Sequence, residues 1–333
     1  MTRSRVSLSL LASLTTLMVA GCAGGGSSQA PDDDLQVDTL ANPNESDGVV
    51  GPSGDTTPAP TGSPGCGLAP GVTSQGAQLS HPFSDAAGGE RSFYLSVSES
   101  YDPELPARLY FGYAGTNWLG AQIQPYLGLE GQPTHEGEIY VYPDVRWRDF
   151  PGWGNLGGWL LGPHATPADG LEDLEFTREL FTFITERYCV DPDRVFATGH
   201  SWGGDMAAVV GCFLGDLFRA VAPAAANRPY WFEPAAGVMA CEPRAAVWTF
   251  FGQADEHFTA QAYPGEFGDQ QVAFWRAEHG CGEGVTPLSG MNEECERYEG
   301  CAEDTRYCLY SAEAGHQVPS YFSSAILSWF REF

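Results

Sequence analysis

The chain of 333 residues contains no lysine. Its positive charge comes from 16 arginines against 43 acidic residues, for a net charge of −27. Without lysine there is no Ser-Lys hydrolysis, no Schiff-base chemistry and no phosphate-cradling P-loop. The acidic balance argues against nucleic acid or an anionic lipid surface as the main partner. No C-x-x-C pair occurs, so the spacing typical of a metal site is missing. No internal repeat is visible. The apolar run from Val6 to Ala20 is shorter than the ~20 residues that a spanning helix needs.

What is present begins with a secretion signal. Arg3 and Arg5 precede the apolar run, and Gly21-Cys22 closes it. The stretch "VAGC" resembles a lipobox, which makes Cys22 the expected lipidation site and mature N-terminus. Residues 1–21 are thus read as a lipoprotein signal peptide. Residues 22–65 are rich in Gly, Ser, Pro, Thr and Asp, with few large apolar side chains. Such a segment cannot bury enough surface to offset its ordering entropy, and it is expected to be a disordered tether. Residues 66–333 remain for one large domain.

With Cys22 set aside, eight cysteines remain, an even count that favours disulfides in an exported chain. Cys189 lies just before a predicted strand and Cys212 at the far end of the helix after it. The strand climbs ~15–20 Å and the helix descends ~15–17 Å, so both cysteines return to the same end of the sheet. A Cys189–Cys212 disulfide is the expectation, with Cys295 and Cys301 forming a local loop.

Strand-like runs alternate with helical patterns. "RSFYLSV" (Arg91 to Val97) has period two, while "ARLYFGY" (Ala107 to Tyr113) and "EIYVY" (Glu138 to Tyr142) are nearly continuous apolar runs. A helix is predicted from about Leu171 to Tyr188, capped by Asp169 and Glu172, with Leu174, Phe181, Ile184 and Tyr188 on one face. This alternation implies an α/β fold with a mostly parallel central sheet and helices on both faces.

The strand "RVFAT" runs into "GHSWGG", and an apolar helix follows. This strand–turn–helix unit resembles the nucleophile elbow of the α/β-hydrolase fold, with Ser201 as nucleophile. The strand "AAVWTFFGQAD" then supplies Asp255 as the acid, with Glu256 as the alternative. The strand "TRYCLYSAEAGH" supplies His316 as the base. Two other histidines follow Ser201. His257 lies too close to Asp255 in sequence to come from a separate loop, and His279 ends a predicted helix, where the helix terminus or exposure accounts for it.

The segments "CVDPDRVFATGHSWGGDMAAVVGC", "FFGQAD" and "AEAGHQVP", with the cysteine-dense stretch before the last strand, resemble the secreted polyhydroxybutyrate depolymerase and feruloyl esterase group of carbohydrate esterase family 1. The similarity runs from about Ser92 to Phe333. The resemblance implies the same three catalytic residues: Ser201, Asp255 and His316. Where that group has H-G-x-G-G, this chain has Ala114-Gly115-Thr116-Asn117-Trp118. The backbone N–H groups of Thr116 and Trp202 are the expected oxyanion donors.

The expected function is hydrolysis of polymeric or oligomeric esters outside the cytoplasm, feruloyl or acetyl groups on polysaccharide in particular. No metal or organic cofactor is implied. The membrane would be reached through the lipid anchor, and nucleic acid is not an expected partner. Trp118, Trp153, Trp159 and Trp202 are the expected substrate-binding residues, and Trp147 and Trp231 could also stack on sugars or aryl groups. Ordinary packing is the competing account for each. Three other functions stay open: a polyester depolymerase, a peptidase with the same triad, and a non-catalytic binding protein on a hydrolase scaffold.

Overall fold

The computed structural model describes residues 62–71, 76–131, 137–161, 171–229, 241–242, 244–258, 265–289, 291, 294–311 and 315–333. All lie in one compact unit, Thr57–Phe333. Cys22, the expected signal and most of the expected tether lie outside these residues, as does Trp231. Ser63 is already buried and bonded to the domain, donating from its Oγ to the Tyr188 carbonyl at 2.7 Å. The folded chain therefore starts somewhat before the expected boundary at residue 66.

A ten-stranded sheet organises the domain. Its centre is parallel: β4 (Ile139–Pro143), β3 (Ala107–Tyr113), β7 (Val190–His200), β8 (Ala220–Ala224), β9 (Ala246–Gly252) and β12 (Thr305–Tyr310), in that order. At one edge β2 (Glu90–Val97) and β1 (Ala77–Pro82) pair antiparallel. At the other edge β11 (Cys295–Tyr298) and β10 (Val285–Pro287) do the same. Every residue of β4, β8 and β9 is buried, as expected of apolar runs covered on both faces. The helices are α1 (Gly120–Leu127), α2 (Glu172–Thr185), α3 (Trp202–Phe213), α4 (Glu266–Glu278) and α5 (Phe322–Phe330).

Two details of α2 differ from expectation. Its N-cap is Leu171, with no side-chain cap; Asp169 lies outside the described residues. Glu172 instead accepts from Arg148 at 2.5 Å, and Asp173, fully buried, pairs with Arg91 at 2.9 Å. The buried stripe includes Leu174, Phe176, Leu180, Phe183 and Ile184, while Phe181 is only partly buried.

The disulfides are Cys66–Cys189, Cys212–Cys241, Cys281–Cys301 and Cys295–Cys308. The expected Cys189–Cys212 bridge is therefore wrong. Rise along the sheet fixes only height. Laterally, Cys189 meets the incoming segment at Ser63–Cys66, where Ser63 N donates to the Val190 carbonyl. Cys212 meets the chain before β9, where Glu242 N donates to its carbonyl. The Cys295–Cys301 loop is also wrong, because strand register sets Cys295 directly opposite Cys308.

The segment after β4 forms a hairpin. β5 (Arg146–Phe150) and β6 (Gly154–Gly158) pair antiparallel in a sheet of their own.

Candidate active site

β7 ends at His200 and α3 starts at Trp202, leaving Ser201 alone in the turn at φ 60° and ψ −128°. A positive φ at a residue with a side chain costs ~1–3 kcal/mol and persists only where the surroundings impose it. Here Ser201 N donates to the Ala224 carbonyl, and its own carbonyl accepts from Asp205 N, both at 3.0 Å. A Cβ at Gly199 would run into the Gly203 carbonyl, and one at Gly203 into that of Tyr113. The two glycines of the motif are steric requirements of this turn.

Asp255 follows β9 and His316 follows β12, each on the loop after its strand. The Nδ1 of His316 donates to Oδ2 of Asp255 at 2.7 Å. Asp255 is buried, and its Oδ1 also accepts from the backbone N of His257 at 3.0 Å. Glu256, the alternative acid, is exposed. His279 is not exposed: it caps α4, is buried, and bonds Thr305 through Nδ1 at 2.7 Å. Burial lowers its pKa to about 4.

Ser201 and His316 line one cavity of ≈ 400 Å³, together with Gly115, Thr116, Trp118 and Tyr126. This volume suits a small ligand or one end of a larger one. Trp118 stands edge-on to Tyr126, with ring centroids 5.3 Å apart. The other tryptophans divide. Trp153 and Trp147 are exposed on the hairpin, at 58% and 55%. Trp159 has no exposure and donates from Nε1 to the Ala114 carbonyl at 2.8 Å. It is a core residue, not a substrate contact. The Trp202 ring is buried against Phe150 and Trp153, so it packs on the hairpin rather than walling the cavity. Its backbone N remains at the start of α3, beside Ser201.

Two histidines of the cavity were not picked out as site residues in the sequence. His200 is buried with its ring 4.7 Å from that of His316 and 5.1 Å from Tyr126. Burial, aided by His316, lowers its pKa to about 3, so it is neutral at working pH. Its position inside G-x-S-x-G was the available signal. His257 stacks on His316 with centroids 4.0 Å apart. Ligand atoms of Asp255, His257 and His316 lie within 4.8 Å of one another and could hold a metal ion. The Asp255–His316 hydrogen bond already accounts for two of the three.

No family model matches the chain. Feruloyl esterase C of Emericella nidulans is 32% identical over 165 residues, 48% of this chain and 52% of its own. Feruloyl esterase B of Piromyces equi is 32% identical over 173 residues, 47% of this chain and 30% of its own. The chain thus spans about half the length, or less, of these curated relatives. The resemblance to feruloyl esterases holds, over a shorter stretch than Ser92 to Phe333. Among solved structures, an acetyl xylan esterase from Aspergillus awamori aligns with TM-score 0.61 and 16% identity, over 77% of this chain and 99% of that one. An S-formylglutathione hydrolase from Agrobacterium tumefaciens aligns with TM-score 0.52 and 16% identity, over 80% and 98%.

The fold is that of the α/β hydrolases. In α/β-hydrolase terms Ser201 occupies the elbow, and Asp255 and His316 follow in the chain order serine, acid, histidine.

Proposed function

We propose that the chain is an extracytoplasmic serine ester hydrolase acting on feruloyl or acetyl esters of polysaccharides. One observation carries the reading: a serine held at positive φ shares a cavity with a histidine that is hydrogen-bonded to a buried carboxylate. His316 takes the Ser201 proton as Oγ attacks the ester carbonyl. Asp255 holds the imidazole tautomer and stabilises the cation that forms. The amides of Thr116 and Trp202 receive the oxyanion, each donor worth about 3 kcal/mol of barrier. The alcohol leaves with the proton from His316. Water then cleaves the acyl-enzyme by the same steps in reverse.

The names of the relatives support the substrate class, as do the aromatic rings of Trp118 and Tyr126 at the cavity. Four disulfides support an oxidising compartment. Cys22 lipidation and a tether between Cys22 and the domain complete the proposal and would place the domain outside a membrane. The test is an ester panel of methyl ferulate, acetylated xylan and a hydroxybutyrate oligomer, run beside Ser201→Ala. Hydrolysis of the first two, lost in Ser201→Ala, is the expected result. Turnover that survives in Ser201→Ala, or an oligomer preferred more than about tenfold, would overturn the reading.

A further inference from the structure

We propose that Asn117 is a positioning residue for the oxyanion donor Thr116, and that the β5–β6 hairpin is the brace it acts through. The inference rests on the ester-hydrolase reading above.

The loop Ala114–Trp118 keeps Gly115 but has Asn117-Trp118 where the resembling family has its glycine pair. Gly115 packs on the elbow: a Cβ there would lie 3.1 Å from the His200 carbonyl and 3.4 Å from the Ser201 Cβ. Thr116 comes next and lines the cavity. Asn117 then turns the chain at φ 63°, a left-handed conformation that asparagine tolerates better than most residues. A glycine would make this turn more easily. What asparagine adds is an acceptor: its Oδ1 takes the N–H of Gly157 at 2.9 Å, while its own N–H donates to the Gly157 carbonyl at 2.8 Å. One residue of the hairpin thus holds Asn117 by both of its backbone polar groups.

The neighbouring residues extend the brace. A Cβ on Gly157 would lie 2.8 Å from Cγ2 of Val145 and 3.3 Å from the Trp147 ring. A Cβ on Gly158 would lie 2.6 Å from the Trp202 ring. Trp159, fully buried, donates to the Ala114 carbonyl. Three consecutive residues therefore hold Ala114, Asn117 and Trp202, which flank or carry both oxyanion donors. Arg148 of β5 secures the strand in turn, donating to the Gly158 carbonyl at 2.8 Å.

Donor placement matters for the charged transition state more than for the ground state. The signature of this role is a loss in kcat with little change in KM. The experiment compares wild type, Asn117→Gly, Gly157→Ala and the double variant on methyl ferulate, with a thermal melt of each. Asn117→Gly keeps the turn and removes only the Oδ1 bond. The expected result is a kcat at least tenfold lower, KM within about twofold, and a melting temperature close to wild type. Gly157→Ala keeps both backbone groups but displaces them, because its Cβ meets Val145. It should also lower kcat, and the double variant should be little worse than either single one, since both changes act on one connection. Unchanged kcat in Asn117→Gly would overturn the inference alone. So would a loss seen only in KM, or one that tracks a lowered melting temperature. A wild type without ester turnover would overturn the functional reading together with it.

Discussion

His316 and Asp255 meet across 61 residues of sequence in a 2.7 Å hydrogen bond, with the carboxylate buried. A bond from Nδ1 fixes the tautomer that leaves Nε2 without a proton, as the proposed base requires. Asp255→Asn would keep the shape but favour the other tautomer, and kcat should fall by about 10⁴. Ser201→Ala and His316→Ala should each lose about as much as the double variant, since the proposed mechanism makes the three act as one unit. Steady-state kinetics on a chromogenic ester would check this, and additive losses would count against a shared mechanism.

Much of this site was legible in the sequence. The elbow, the acid and the histidine each follow a strongly apolar strand, and strand order constrains where loops meet. What was not legible depends on lateral placement. Cys189 and Cys212 do lie at the ends of neighbouring elements, yet each meets another segment first. Trp159 and Trp153 are equally aromatic in sequence, but one is fully buried and the other is 58% exposed. The glycine-rich run "GNLGG" carries no strand signal of its own; it forms β6 by pairing with β5 and packs against Asn117 and Trp202.

Asp205 gives the fold a pH dependence. It lies fully buried in the first turn of α3, its Oδ1 accepting from Asn227 N at 2.6 Å. Burial raises its pKa to about 8, against a partial lowering by the Asn227 bonds. The folded state therefore keeps a proton that the unfolded state releases near pH 4. Stability from this group is complete below the unfolded value and is lost as pH rises through about 8. His200 and His279, with lowered values of about 3 and about 4, act in the opposite sense and only below pH ~6.5. Between pH ~6.5 and 8 unfolding free energy should fall by up to about 1.4 kcal/mol per pH unit. Asp205→Asn keeps the acceptor and should flatten that slope in denaturant titrations. An unchanged slope would remove Asp205 as its cause.

The four disulfides should differ in their contribution. Cys66–Cys189 spans 123 residues, whereas Cys295–Cys308 spans 13. Loop-closure entropy gives roughly 5 kcal/mol for the first and roughly 3 for the second. Paired Cys→Ser variants, compared by urea unfolding, should therefore rank Cys66–Cys189 as the costlier loss. The reverse order would mean that native contacts outweigh the restriction of the unfolded chain.

The tryptophans should separate binding from folding. Trp118 is 39% exposed at the cavity and packs edge-on to Tyr126, whose hydroxyl accepts from Val318 N at 3.1 Å, two residues beyond His316. A substrate ring entering beside Ser201 would meet this pair, so Trp118→Ala should lower kcat/KM for methyl ferulate about tenfold, or ~1.4 kcal/mol. A short acetyl ester, with no ring to stack, should change far less. Trp153 is exposed on the hairpin, outside the residues that line the cavity. Its replacement by alanine should spare small esters and weaken turnover of acetylated xylan, which extends beyond the cavity. Trp159 is different in kind. It has no exposed surface, so Trp159→Ala opens a void and should destabilise the fold by ~3–5 kcal/mol. Thermal melts and kinetics on the same three variants would separate these roles. If Trp118→Ala affected ferulate and acetate esters equally, the ring would be shaping the loop rather than reading the acyl group.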